Sequence, residues 1–237
     1  MRIAVIQFPG SNCDLDTIHV LRDIFKVSTD LVWHRFFKGS KYDTAILPGG
    51  FSYGDHLRAG VIAAHSPAMK EIRDMAKDGK PILGICNGFQ VLIEAGLLPG
   101  ALLPNECLTF VCKWVTLKCD TNRTAFTQLA DTEKLLRIPI AHQEGRYYDS
   151  EKNLREMFAN KQVVFRYSDE KGAVSKDANP NGSVENIAGI CNLEGNVLGL
   201  MPHPERASEK ILSPFKSDGG LNFFASMIQF LKKRGAA

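Results

Sequence analysis

The sequence predicts an α/β fold: a doubly wound, mostly parallel sheet with helices on both faces and a hairpin-rich C-terminal half. Three observations carry this expectation. Short strand-like runs at residues 2–7, 42–47 and 80–86 each lead into a glycine-containing turn. Each turn is followed by a segment with apolar residues at helical spacing, the alternation that builds parallel sheets. From residue 110 onward, strand-like runs succeed one another with few helices between them.

The first run closes at Pro9-Gly10-Ser11-Asn12, and Ile18, Leu21, Ile24 and Phe25 then mark a helix beginning near Asp14. The second run ends at Pro48-Gly49-Gly50. Asp55 is the expected N-cap of a helix reaching about His65, with another helix over 67–77. The third run meets an apolar helix over 88–95 that Gly96 stops. In the second half, strands are expected around 110–119, 137–142, 163–167, 187–191 and 197–201. Residues 168–186, rich in Gly, Asn, Lys and Asp, read as an exposed loop. Leu221, Phe224, Ile228 and Leu231 share one face of a closing helix that docks on the sheet. With no internal repeat and no clear linker, 1–237 is expected to be a single domain.

At 237 residues, 44% hydrophobic and 23% charged, the chain has the composition of an ordinary globular protein. Its net charge is 29 − 26 = +3, and its one compact basic cluster is Lys232-Lys233-Arg234. This argues against a broad nucleic-acid face. No stretch approaches the roughly 18 apolar residues of a membrane span, and the opening apolar run is too short for an export signal. Six cysteines without a CxxC pair read as reduced thiols, so the expected location is the cytoplasm. Cys107, Cys112 and Cys119, with no nearby His, do not form a zinc pattern and are expected in the core. Cys13 is expected to be structural, and no metal site is expected.

The chemistry concentrates at strand ends, where open parallel sheets bind ligands. Gly84-Ile85-Cys86-Asn87-Gly88 has the spacing of a nucleophile elbow with Cys in place of Ser. Flanking glycines permit the sharp turn, and a helix N-terminus favours thiolate at Cys86. The Pro48-Gly49-Gly50 turn lacks the Gly-Lys-Ser/Thr ending of a phosphate loop. It instead suits an oxyanion site formed by the backbone N–H of Asn87 together with that of Gly50 or Phe51.

An acylating thiolate also needs a proton-transfer partner, and His is the natural one near neutral pH. His19, His34, His56 and His65 read as surface or boundary residues. His142 and His203 each have a Glu two positions on, Glu144 and Glu205, which extended backbone places on the same side. Pro204 is expected to hold the second pair extended, which favours His203 over His142.

Cys86 with its elbow, the Pro-Gly-Gly strand end and His203-Pro204-Glu205 together resemble class I (triad) glutamine amidotransferase domains. More narrowly, residues 46–55 (ILPGGFSYGD), 84–90 (GICNGFQ), 110–115 (FVCKWV), 140–146 (IAHQEGR), 179–183 (NPNGS) and 195–206 (GNVLGLMPHPER) resemble the glutaminase-subunit family of phosphoribosylformylglycinamidine synthase, of the small type. The resemblance implies that Cys86 attacks the side-chain amide of glutamine, that His203 handles the protons and that Glu205 holds His203. It also implies that Gln90 and the His142 strand contact substrate. Ammonia would pass to a large ATP-dependent synthetase subunit, with a small third subunit in the assembly. No cofactor is expected in this chain, since ATP and Mg would bind the synthetase. Two alternatives stay open: a glutaminase of another class I amidotransferase, and a glutamine-binding regulatory subunit with negligible catalysis.

Overall fold

The computed structural model describes residues 1–235. In chain order, β1 (Ile3–Gln7) leads to α1 (Asp14–His19), which continues as a π turn over Val20–Ile24. Then come β2 (Thr29–Trp33), β3 (Thr44–Leu47), α2 (Val61–Ala64), α3 (Pro67–Lys77), β4 (Ile82–Ile85), α4 (Asn87–Glu94) and β5 (Ala101–Pro104). The second half holds β6 (Val111–Cys119), β7 (Leu136–His142), β8 (Glu144–Tyr148), α5 (Glu151–Ala159), β9 (Val163–Ser168), β10 (Ile187–Cys191), β11 (Val197–Leu200) and α6 (Leu221–Gly235).

Nine strands form one sheet in the order β2-β1-β3-β4-β11-β10-β9-β6-β7, while β5 and β8 make a separate ribbon. The five strands from β2 to β11 pair in parallel, and the remaining four extend the sheet by antiparallel pairing. Only β10 and β6 run against the rest. The strands β3, β4 and β11 are buried along their whole length, as strands covered on both faces must be. The core extends to α6, whose Phe223 ring lies 4.9 Å from that of Phe165.

Several expectations need correction. The helix expected from Asp55 to His65 is only the single turn Val61–Ala64, capped by Gly60 at φ +82°. Tyr53 N and Phe51 N are tied to Pro9 O and Gly10 O, and Tyr53, Gly54 and Asp55 all adopt left-handed backbone. A helix cannot start there, and Asp55 is not an N-cap. The strands β2, β5 and β8 were not expected; β2 is a half-buried edge strand with a polar start. Nor was α5 expected, although Ser150 caps it through Asn153 N and Leu154 and Met157 are its buried positions.

The loop over 168–186 is not exposed throughout. Asn181, Ser183 and Asn186 are buried, with Asn181 Nδ2 donating to Gly145 O (2.8 Å) and Ser183 Oγ accepting from Tyr147 N (3.0 Å). Of the three cysteines expected in the core, only Cys119 is buried; Cys107 and Cys112 are exposed, Cys112 near the outer start of β6. His34, expected near the surface, is buried against the rings of Phe8 and Trp33. No helix among the described residues is long and apolar enough to cross a membrane.

Candidate active site

Cys86 is the residue between β4 and α4, at φ 49° and ψ −106°. Such backbone costs on the order of 1–3 kcal/mol for a residue with a Cβ. Close packing dictates the glycines around it. A Cβ on Gly88 would lie 1.9 Å from Leu47 O, and one on Gly84 would lie 2.6 Å from Gly88 O. Cys86 N donates to Leu200 O (2.8 Å), and Cys86 O accepts from Phe89 N (2.9 Å) and Gln90 N (3.1 Å). Neighbouring β11 and the first turn of α4 therefore hold the strained residue in place. The thiol is nearly buried and points toward Ala141 O at 3.8 Å.

Because β11 pairs with β4 in parallel, the residues that follow these two strands meet. His203 arrives in this way. Pro204 opens the short 3-10 turn Pro204–Ala207, so the backbone between His203 and Glu205 is not extended as expected. Proline's fixed φ suits the first position of a helical turn as well as a strand. The turn still delivers the contact, with His203 Nδ1 donating to Glu205 Oε1 across 2.6 Å. His203 Nε2 has no hydrogen-bond partner among the described residues and is buried. His203 shares a cavity with Cys86, Gly50 and Ala141. Burial alone would push the pKa of His203 down; the charges of Glu205 and Cys86 outweigh it and hold the imidazolium well above its ordinary range.

Cys13, expected to be structural with no base nearby, lies against this pair. Its Sγ donates to Asn12 Oδ1 (3.0 Å) and accepts from Arg206 Nη2 (3.2 Å). Cys13, His203 and Glu205 bring ligand-type atoms within 4.8 Å of one another, and no other such trio occurs among the described residues. It is built on the His–Glu pair itself and forms no separate centre. Burial pushes the Cys13 thiol up, with His203 pulling the other way. Gly49 completes the packing: a Cβ there would sit 2.7 Å from His203 Cε1 and 3.0 Å from Cys13 Sγ.

Gly50 adopts φ +148°, and a Cβ on it would meet Gly10 O at 2.7 Å. Phe51 N is spent on Gly10 O (2.9 Å), whereas the N–H groups of Gly50 and Asn87 have no partner among the described residues. Of the two residues considered beside Asn87, Gly50 is thus the one with a free donor.

A cavity of about 260 Å³ beside Cys86 is lined by Gly50, Asp55, Gln90, His142 and Glu144. Gln90 spans it: its Oε1 accepts from Asn87 Nδ2 (2.9 Å) and its Nε2 donates to Glu144 O (2.5 Å). His142 follows Ile138 and Ile140 on the buried row of β7. Its Nδ1 donates to Asn105 Oδ1 (3.0 Å) and its carbonyl accepts from Asn105 Nδ2 (2.9 Å). Burial and the positive charge of His203 lower the His142 pKa to about 3, so its imidazole is neutral and a poor base. Sequence reading missed Asn105, fully buried, because nothing local distinguishes a clamping Asn from a turn residue. It also missed Asp55 as a site residue; burial and neighbouring Glu144 raise its pKa to about 6.

Residues 1–231 match the model of the CobB/CobQ-like glutamine amidotransferase domain family. The chain belongs to this family of glutamine amidotransferases. Among its amidotransferase relatives, it is 55% identical to phosphoribosylformylglycinamidine synthase subunit PurQ of Aquifex aeolicus, over 96% of this chain and 99% of that one. Identity to the PurQ subunit of Methanosarcina acetivorans is 54%, over 98% of each chain. Among solved structures, it superimposes on a chain of Thermotoga maritima PurLQS with a TM-score of 0.84 and 44% identity, covering 97% of this chain and 98% of that one. A glutamine amidotransferase of Thermotoga maritima, at 17% identity and a TM-score of 0.55 over 99% and 97% of the two chains, shares the fold.

Proposed function

We propose that the chain is the glutaminase subunit of phosphoribosylformylglycinamidine synthase, releasing ammonia from glutamine through Cys86, His203 and Glu205. The observation that carries this reading is the strained, fixed Cys86 sharing a cavity with a His203 whose other nitrogen is held by Glu205. Cys86 Sγ adds to the amide carbon, and the oxyanion is met by the free N–H groups of Gly50 and Asn87. As the C–N bond breaks, imidazolium His203 gives a proton to departing ammonia and leaves a glutamyl thioester. The neutral imidazole then takes a proton from water, whose oxygen attacks the thioester to release glutamate and free thiol. Glu205 keeps Nδ1 protonated and stabilises the imidazolium. Gln90 and His142 shape the glutamine pocket, His142 through its place in the wall.

In this reading ammonia passes to a large synthetase subunit, with a small third subunit in the complex. This fits the naming of the relatives and the PurLQS neighbour. The chain acts as one amidotransferase domain in the cytoplasm, without a cofactor or metal of its own and without nucleic-acid or membrane partners, while ATP and Mg²⁺ serve the synthetase. The test is ammonia release from glutamine by the chain alone and with the synthetase added. Release that rises with the synthetase supports the reading. Absence of release in both conditions, with glutamine still bound, would replace it with a regulatory role.

A further inference from the structure

The histidine of the triad has a neighbour that the reaction leaves idle. Cys13, His203 and Glu205 are 1%, 2% and 2% exposed, and each brings a ligand-type atom within 4.8 Å of the other two. Cys13 comes from the turn before α1, and the other two follow β11.

Two polar atoms of this cluster are buried without partners. Glu205 gives Oε1 to His203 Nδ1 and leaves Oε2 bare, and His203 Nε2 is bare as well. A buried carboxylate oxygen with no donor is costly unless a cation or a donor reaches it. The sulfur is prepared for negative charge too. Arg206 Nη2 donates to Cys13 Sγ (3.2 Å), and Asp16 holds the same guanidinium through its Nε (3.2 Å).

A thiolate, an imidazole and a carboxylate make a donor set that suits zinc and does not suit magnesium or calcium, which take oxygen ligands. Around a tetrahedral zinc ion with bonds of about 2.0–2.3 Å, ligand atoms lie about 3.5 Å apart, so the widest gap in this cluster has to close by about 1 Å. A route in exists. The cavity of about 260 Å³ that holds Cys13, Cys86 and His203 is also lined by Cys112, whose exposed thiol gives an arriving thiophilic ion its first contact.

With its consequence, though not the binding itself, resting on the glutaminase reading above, we infer that Cys13, His203 and Glu205 form an inhibitory site for a thiophilic divalent cation of the zinc class. The ion takes the place of the proton on His203 Nδ1 and of the Cys13 thiol proton, and both protons pass to water. One divalent charge replaces two single ones, so the buried net charge is unchanged. Cys13 Sγ, His203 Nδ1 and Glu205 Oε2 are the ligands, with water in the fourth position. His203 is left as a neutral ring protonated at Nε2. In that form it cannot take a proton from water, and it could give one to ammonia only by becoming imidazolate. The ion disables the base and leaves the nucleophile untouched.

The test loads the full chain with one equivalent of Co²⁺, which reports thiolate ligation by a charge-transfer absorption. Cys86→Ala should keep that absorption, and Cys13→Ala should lose it. Zinc affinity, measured by competition with a chelator, should fall by at least about 100-fold in Cys13→Ala, since even an outer partner of a metal ligand is worth about 10–100-fold. Cys13→Ser, whose hydroxyl can keep the bonds to Asn12 and Arg206, should show the same loss and serves where the alanine variant fails to fold. With the synthetase present and no ATP, zinc should stop ammonia release from glutamine by the unaltered chain and EDTA should restore it. Cys13→Ser, compared with its own zinc-free rate, should need about 100-fold more zinc for the same inhibition. Absorption lost in Cys86→Ala and kept in Cys13→Ala would overturn the inference by placing the ion on the nucleophile. Equal zinc sensitivity of Cys13→Ser and the unaltered chain would overturn it too. The expected cobalt spectra together with no ammonia release in the absence of zinc would sink the glutaminase reading and leave the metal site standing.

Discussion

His203 Nδ1 lies 2.6 Å from Glu205 Oε1, and solvent reaches neither side chain to any extent. A charge-assisted hydrogen bond in such a place fixes both the tautomer and the orientation of the ring. Replacing the carboxylate with an amide keeps shape and burial but removes the charge that sustains imidazolium. Glu205→Gln is therefore expected to keep the fold and glutamine binding while slowing thioester formation and decay by about 10–10⁴-fold. Single-turnover measurements with the synthetase present check this. Glu144→Gln should leave both steps near normal once glutamine saturates. The reverse pattern would move the base to His142.

Gly49 has no chemistry of its own, yet an added Cβ would reach within 2.7 Å of His203 Cε1 and 3.0 Å of Cys13 Sγ. The imidazole cannot swing away cheaply, since Glu205 holds its other side. Gly49→Ala is expected to retain the far-UV circular dichroism of the fold and to lose about 10²-fold in kcat, the scale of a displacement near 1 Å at reacting atoms. An alanine variant with undiminished turnover would show that the ring has more room than this packing allows.

The site divides into parts that were legible in sequence and parts that were not. Cys86 could be read because its turn depends on local backbone: Gly84 and Gly88 announce an elbow wherever the chain leads. The His203–Glu205 contact was expected along extended backbone, but the two side chains meet across a 3-10 turn. Cys13 beside His203 and Asn105 beneath His142 were invisible, because both contacts arise from strand order. Placing β11 next to β4 is a long-range pairing between residues 82–85 and 197–200, and no local pattern encodes it. The parallel strands β1, β3 and β4 and the strand runs of the second half followed from the apolar pattern, although β11 was expected in the hairpin-rich half and pairs in parallel with β4. The half-buried edge strand β2 and the short ribbon of β5 and β8 lack a strong apolar alternation and did not.

Six thiols with different surroundings should separate two kinds of reagent. Cys107 is exposed, and hydrogen bonding from Thr109 lowers its pKa, so a small general alkylator such as iodoacetamide should modify it first. Cys86 is nearly buried, and a glutamine-like diazo-ketone must enter the cavity to reach it. Peptide mapping after each treatment is expected to find the first reagent mainly on Cys107 and the second on Cys86. Cys86→Ala should abolish ammonia release from glutamine. Diazo-ketone labelling at Cys13 in place of Cys86 would count against the nucleophile assignment, because Cys13 shares the same histidine.

Asp55 makes the stability of the fold depend on pH. Its pKa rises in the folded chain to about 6, first through burial and then through Glu144, from an unfolded value near 3.9. The folded state thus binds the proton more tightly than the unfolded one. The resulting contribution is most favourable below about pH 4, declines as pH rises, and is fully lost above about pH 6. Asp55→Asn, which carries no charge, should melt higher than the unaltered protein at pH 7.5, by about 2–4 °C if roughly 1 kcal/mol is relieved. Near pH 4 the two should melt together. Thermal melts at the two pH values decide the matter. A variant that melts lower at pH 7.5 would mean that Asp55 is stabilised in the fold and not strained by its neighbour.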